Sequence, residues 1–135
     1  MASPSLDLQK AILDALLANA AVAAIVGARV HDGLTPDAVY PCITFGPTQV
    51  MPEDMDCIAG REEVIQIDCW TRDGPRLHPA KALADAVKAA LHLAALPMAT
   101  HALADLRVEG MRVMMDPDGL TGHGVVTLLA YVEER

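Results

Sequence analysis

Glu63-Val-Ile-Gln-Ile-Asp-Cys-Trp70 is the stretch that decides the fold. Residues 64–70 alternate: Ile65, Ile67 and Cys69 go to one side, Gln66, Asp68 and Trp70 to the other. A period of two is the signature of a strand with one face in a core. The polar set marks a face that is either wet or in contact with a partner. Upstream, residues 42–45 (Cys-Ile-Thr-Phe) read as a second strand that Gly46-Pro47 closes. The connection between the two strands is long and acidic and contains Met51-Pro-Glu-Asp-Met-Asp56. Small compact domains join neighbouring strands with about 2 to 5 residues. A connection this long predicts an arm that reaches a partner.

Five residues of that arm carry the expectation. Met51 and Met55 are adaptable apolar anchors suited to contact surfaces. Glu53, Asp54 and Asp56 supply a local negative field. Pro47 and Pro52 stiffen the path and lower the entropic cost of ordering it on a partner. The competing reading is a solvated surface loop.

Working outward, Ser5 is a candidate N-cap, with Asp7 in the first turn where a helix dipole favours negative charge. Leu8, Ile12 and Leu16, with Leu13 and Leu17, recur at helical spacing. Asn19 ends or kinks this helix, and residues 20–26 form a second short piece stopped at Gly27. Residues 29–33 predict a short extended segment running into a turn. After the turn Asp73-Gly-Pro75, Pro79 opens a second long helix on which Leu83, Val87 and Leu91 recur every four residues. Residues 106–115 read as a strand with a change of phase at Gly110, and Asp116-Pro-Asp-Gly119 as a turn. Residues 125–132 are apolar on both sides and predict an interior strand. The expected fold is a single α+β domain over residues 1–135. Its mainly antiparallel, four-stranded sheet carries the two longer helices on one face.

Composition narrows the function. The chain has 135 residues and a formal net charge of −8. Nucleic-acid binders need Lys and Arg for phosphate contacts, so direct tight binding to DNA is not expected. Hydrophobic residues make up 53% of the chain but aromatics only 3%, and the mean hydropathy is +0.29. Those values fit either apolar surface buried between subunits or an alanine-rich composition. Cys42, Cys57 and Cys69 form no CxxC pair, and an odd number argues against a disulfide framework. The N-terminus lacks a basic region followed by an apolar run, and the apolar stretch 11–26 is short for a membrane span. The expectation is a soluble protein made in a reducing cytoplasm.

Chemistry is sparse. His31, His78, His92, His101 and His123 stand in no HExxH or HxH spacing. His123 lies between Gly122 and Gly124 and reads as a solvated loop residue. No GxSxG elbow, phosphate loop or GxGxxG is present. Asp116-x-Asp118 lacks the later acidic ligand of a calcium loop. No catalytic, cofactor or metal site is expected. The sequence points to an assembly protein rather than an enzyme.

Taken as a set, these segments resemble the tail completion, or tail terminator, family of long-tailed bacteriophages and gene transfer agents. The matching pieces are Gly27-Ala-Arg-Val-His-Asp-Gly33, Tyr40-Pro-Cys-Ile-Thr-Phe-Gly46 and Glu63 to Trp70. They continue with Asp116-Pro-Asp-Gly…Gly-His-Gly124 and a last strand ending Tyr131-Val-Glu-Glu134. Residues 97–105 match nothing. The resemblance implies a homo-oligomeric ring, typically of six copies, at the head-proximal end of a tail tube. Such a ring stops tube polymerisation and offers the surface that docks on the head-tail connector, while DNA passes through without specific binding. The competing readings are another connector or tube subunit of the same particle, and a small cytoplasmic binding domain.

Overall fold

The structure is a computed structural model, and it describes residues 2–134. The order of elements is α1 (Pro4–Ala18), α2 (Ala20–Val26), β1 (Val30–His31), β2 (Cys42–Pro52), β3 (Gly60–Arg72), α3 (His78–Leu91), β4 (Ala102–Met115) and β5 (Thr121–Glu133). One five-stranded sheet runs in the order β1-β2-β3-β5-β4. All pairings are antiparallel except β1 with β2, which is parallel at Val30↔Ile43 and His31↔Thr44.

The expected α+β plan holds, with one correction to the strand number. The sheet has a fifth strand, because Val30 and His31 of the extended segment 29–33 pair with β2. The short helical piece expected over residues 20–26 is α2, bent 83° away from α1, and with α3 it makes three helices among the described residues. Asn19 makes that bend: its N–H closes α1 on Leu16 and its Oδ1 accepts from Val22 N at 3.1 Å to open α2. The cap of α1 is Ser3, whose Oγ accepts from Leu6 N, with Pro4 as the first helical residue. Ser5, expected to cap, lies inside the first turn.

Helices cover the side of the sheet that carries Ile65, Ile67 and Cys69. Leu8, Ile12 and Leu16 of α1, Val22 and Val26 of α2, and Leu83, Val87 and Leu91 of α3 are fully buried against it. Truncating any of these leucines to alanine removes transfer energy and leaves a cavity. Among the described residues no single helix is long and apolar enough to cross a membrane.

Strand β5 is interior, as its two-sided apolar pattern predicts, and pairs with β3 along its whole length. His123 is part of this strand rather than of a loop. The flanking glycines are there for space. A side chain at Gly122 would strike Thr71 Oγ1 and Ala80 Cβ, and one at Gly124 would crowd Cys69 and α3. Close approach of α3 to β5 thus explains a Gly-His-Gly run that looks like a loop from sequence.

Residues 97–105, which no motif explained, are held by the first helix. Asp7 accepts the backbone N–H groups of Ala99 (3.1 Å), Thr100 (2.9 Å) and His101 (3.0 Å). His101 Nδ1 lies 3.0 Å from the same carboxylate, and both side chains are only 7% exposed. Partial burial works against the charged form. The backbone bonds from His101 and Thr100, the His101 ring and the Ala99 bond together outweigh it and hold the Asp7 pKa at about 2. A carboxyl with a depressed folded pKa stabilises the fold above its unfolded pKa, and that contribution is lost as pH falls toward the folded one. We therefore expect the wild type to lose stability between pH 4 and pH 2, with a flatter acid branch in Asp7→Asn. Asp7→Ala should cost about 2 kcal/mol at pH 7, the scale of hydrogen bonds to a charged group. Urea titrations at stepped pH measure both; parallel acid branches for the wild type and Asp7→Asn would remove Asp7 from the account.

Candidate assembly surface

The two strands β2 and β3 are much longer than residues 42–45 and 64–70. Gly46-Pro47 does not end β2. It marks a register shift between Phe45 and Thr48, after which pairing resumes as far as Pro52↔Arg61. The predicted long connection is therefore mostly ladder, and only residues 53–59 join the strands. Its end is itself a tight turn. Met55 and Ile58 exchange two backbone hydrogen bonds of 2.9 Å around Asp56 and Cys57, and Cys57 takes a left-handed φ of 63°.

All five arm residues lie at this hairpin tip. Met51 is on β2 opposite Glu62 and is half-buried. Glu53, Asp54, Met55 and Asp56 are exposed, Met55 to 59%. Val50 and Ile58 are also exposed, and Ile58 bridges Met55 across the turn.

The tip is braced on the end of β5 rather than hanging free. Tyr131 donates its hydroxyl to Glu53 O at 2.8 Å, and Glu134 N donates to Ala59 O at 2.9 Å. Asp54 Oδ1 accepts Gly60 N at 3.2 Å. Burial first, and then the carboxylates of Glu133, Glu53, Asp54 and Glu62, push the Tyr131 hydroxyl above its ordinary pKa. The smaller, coulombic part of that shift comes from the carboxylates gathered at this end of the sheet.

Beneath the tip, Arg61 ties three elements together. Its guanidinium reaches Ser5 Oγ on α1 (2.7 Å), Glu134 Oε1 after β5 (3.1 Å) and Glu63 Oε2 (3.1 Å). Glu63 is fully buried. The approach of Nε to Glu63 brings the charges together without a directed hydrogen bond, so neither carboxylate oxygen has such a bond.

A second polar cluster lies on the sheet face opposite the helices, where the alternation of β3 puts Gln66, Asp68 and Trp70. His123 stacks on Trp70 with ring centroids 3.9 Å apart and an interplanar angle of 10°. Its Nε2 lies 2.7 Å from Asp68 Oδ1, which also accepts from Gln66 Nε2 at 2.8 Å. Trp70 Nε1 donates to Thr44 Oγ1 at 2.9 Å, and Arg72 sits over the Tyr40 ring. Residue-level reading missed this cluster because it left His123 unpaired. The register Trp70↔His123 was the missing fact.

The cluster is inward-satisfied, and nothing in it resembles a nucleophile with its base. Among the described residues no group of three metal-ligating side chains stands together. Asp118 is used up by its turn: its carboxylate accepts from Leu120 N, Thr121 N and Thr121 Oγ1. Burial drives the Cys69 thiol up to about 12, with Asp68 and Cys42 adding to it, and burial raises Cys42 as well. Cys57 at the tip is the exposed cysteine.

No curated protein matches the chain. A chain of the solved structure titled "Virion of native gene transfer agent (GTA) particle" is similar to it at 27% identity and a TM-score of 0.88. The alignment covers 99% of this chain and 100% of that one. The family described as tail completion protein gp17 matches residues 10–133, nearly the whole of the described fold. The chain belongs to the tail completion protein gp17 family.

Proposed function

We propose that this protein is a structural subunit of a phage-like tail that acts by templated assembly and catalyses nothing. Six copies form a ring at the head-proximal end of the tail tube, stop its polymerisation and present the surface on which the head-tail connector docks. The observation that carries this reading is the correspondence with a chain of a gene transfer agent virion over 99% of this chain and 100% of that one. A braced hairpin tip supports it, because a preorganised contact surface loses little entropy on binding. Its partners in this reading are other copies of itself, the tube protein and the connector.

The negative charge has a place in the same scheme. Six copies at −8 each make a strongly acidic annulus. Where that charge faces the channel, DNA slides past instead of binding, with repulsion felt over a Debye length of about 8 Å. Reversing Glu53, Asp54 and Asp56 to lysine is expected to slow or block DNA transfer while tail length stays normal. Unimpaired transfer by assembled mutant particles would move these residues out of the lumen.

Electron microscopy of particles from a producer strain lacking the gene tests the main reading. Unjoined heads beside tubes of excessive or uneven length are expected. Intact particles with normal tails would remove the terminator role. Long cylinders formed by the pure chain alone would make it a tube subunit instead.

A further inference from the structure

The two open edges of the sheet fit one another. We propose that residues 48–51 of one copy pair as an antiparallel ladder with residues 110–113 of the next, so that the sheet runs on from subunit to subunit. This rests on the ring reading and specifies the contact that closes it.

Unpaired strand edges carry rows of backbone donors and acceptors that a partner strand can take up. On one side of the sheet, β1 covers β2 only at Ile43 and Thr44. Beyond the register shift, residues 48–51 have β3 on one side and no strand on the other among the described residues. Pro47 and Pro52, which lack an N–H, bound this window at both ends. Within it stand Thr48, Gln49, Val50 and Met51, with no charge to repel a neighbouring strand.

On the other side of the sheet, β4 is covered only in its middle. Leu93 N donates to Leu106 O at 2.9 Å and His92 Nδ1 accepts from Val108 N at 3.0 Å. Past Val108 no element pairs with this edge among the described residues. Gly110 lies there, and a Cβ on it would meet no atom within 4 Å. Nothing within the chain therefore requires a glycine at this position. A glycine inside a strand often marks the place where another backbone comes close.

Direction and facing agree. Across the antiparallel ladders β2 and β4 run opposite to one another, so setting one beside a neighbour's copy of the other continues the alternation. Thr48 and Val50 pair with Ile65 and Glu63 on the helix-covered side, and Met111 and Val113 pair with Val126 and Gly124 on the same side. The register Thr48↔Val113, Gln49↔Arg112, Val50↔Met111, Met51↔Gly110 thus sets Val50 against Met111 and the short Thr48 against Val113 on the helix side. It also sets an amide beside a guanidinium on the other.

The β2 window lies toward the hairpin tip and the β4 window toward the opposite end of the sheet. Neighbours are therefore offset along the strands, which is the stagger that a closed ring of tilted strands needs. Two different surfaces meet head to tail, as a rotationally closing contact requires.

Paired cysteines test the register in the full-length chain carrying Cys57→Ser. Val50→Cys with Met111→Cys and Gln49→Cys with Arg112→Cys place thiols on matching faces at the short Cα separations of an antiparallel pair. Val50→Cys with Arg112→Cys places them on opposite faces and serves as the control. Under mild oxidation of assembled rings, both matched pairs should give a ladder of covalent multimers, at least roughly tenfold more than the control. Gly110→Val should leave the denaturation midpoint of the monomer unchanged and reduce ring formation roughly tenfold or more, the loss of one close backbone contact per interface. Rings that form normally but crosslink no better than the control overturn this interface while leaving the ring reading intact. Absence of rings both in solution and on isolated tails overturns the ring reading, and this contact falls with it.

Discussion

Replacing Arg61 with alanine should destabilise the protein by about 3–5 kcal/mol, the usual consequence of removing one partner from a buried ion pair. The reason lies in Glu63, which is fully buried and has no directed hydrogen bond to either oxygen. Its charge is tolerated because the guanidinium lies 3.1 Å away. Without that cation the carboxylate sits in an apolar end of the core with Ala130 and Val50 as its cross-strand neighbours. The same substitution unties Ser5 on α1 and Glu134 after β5. Removing both charges is a different matter. Arg61→Leu with Glu63→Leu exchanges an expensive pair for packing, and the double variant should recover most of the loss. Urea midpoints at pH 7 read all three proteins. A cost under about 1 kcal/mol for Arg61→Ala would mean that water reaches Glu63 readily, and the clamp would then be only a surface contact.

What the sequence reveals about this molecule follows from which forces are local. The alternation of residues 64–70 reports a buried face directly, and Ile65, Ile67 and Cys69 are where it puts them. Asn19 signals the break between α1 and α2 because its side chain competes for a backbone N–H three residues on. The phase change at Gly110 also survives, as a register shift between Val108 and Gly110. Errors arise where a pairing partner distant in sequence overrides a local signal. Gly46-Pro47 looks like a strand end, yet β3 re-engages β2 beyond it and the seat of the Asp68 carboxylate fills the space that a Gly46 side chain would need. His123 looks like a loop residue because the reason for its glycine neighbours, the approach of α3, comes from elsewhere in the chain. The arm residues Met51, Glu53, Asp54, Met55 and Asp56 were legible as a group at one end of the molecule. Their rigidity was not, since Tyr131 and Glu134 supply it from the far end of the sequence.

That bracing makes Gly60 a sensitive position of the hairpin. Gly60→Ala should cost about 2–4 kcal/mol, the sum of overpacking and one lost hydrogen bond. Backbone strain is not the cause, because the difficulty is space. A Cβ at this buried position would overlap the Tyr131 hydroxyl, stand 2.7 Å from its Cζ and 3.0 Å from Glu53 O. Tyr131 must then swing away, and its 2.8 Å bond to Glu53 goes with it. The tip would lose its main brace while the ladder below, from Thr48↔Ile65 to Met51↔Glu62, stays paired. Cys57 offers a local readout, since the buried Cys42 and Cys69 should react far more slowly with a thiol reagent. Its labelling rate should change in Gly60→Ala under native conditions as the turn around it loosens. Tyr131→Phe alone should destabilise the protein only slightly, through the lost bond. Combined with Gly60→Ala it should cost less than the sum of the two, because one substitution removes the atom that the other strikes. Strict additivity would show that the hydroxyl is not what fills the space at Gly60. A tip that stays rigid without Tyr131 would then owe its order to the Ala59–Glu134 bond and the Met55–Ile58 turn. The preorganisation credited to the brace would belong to the turn itself.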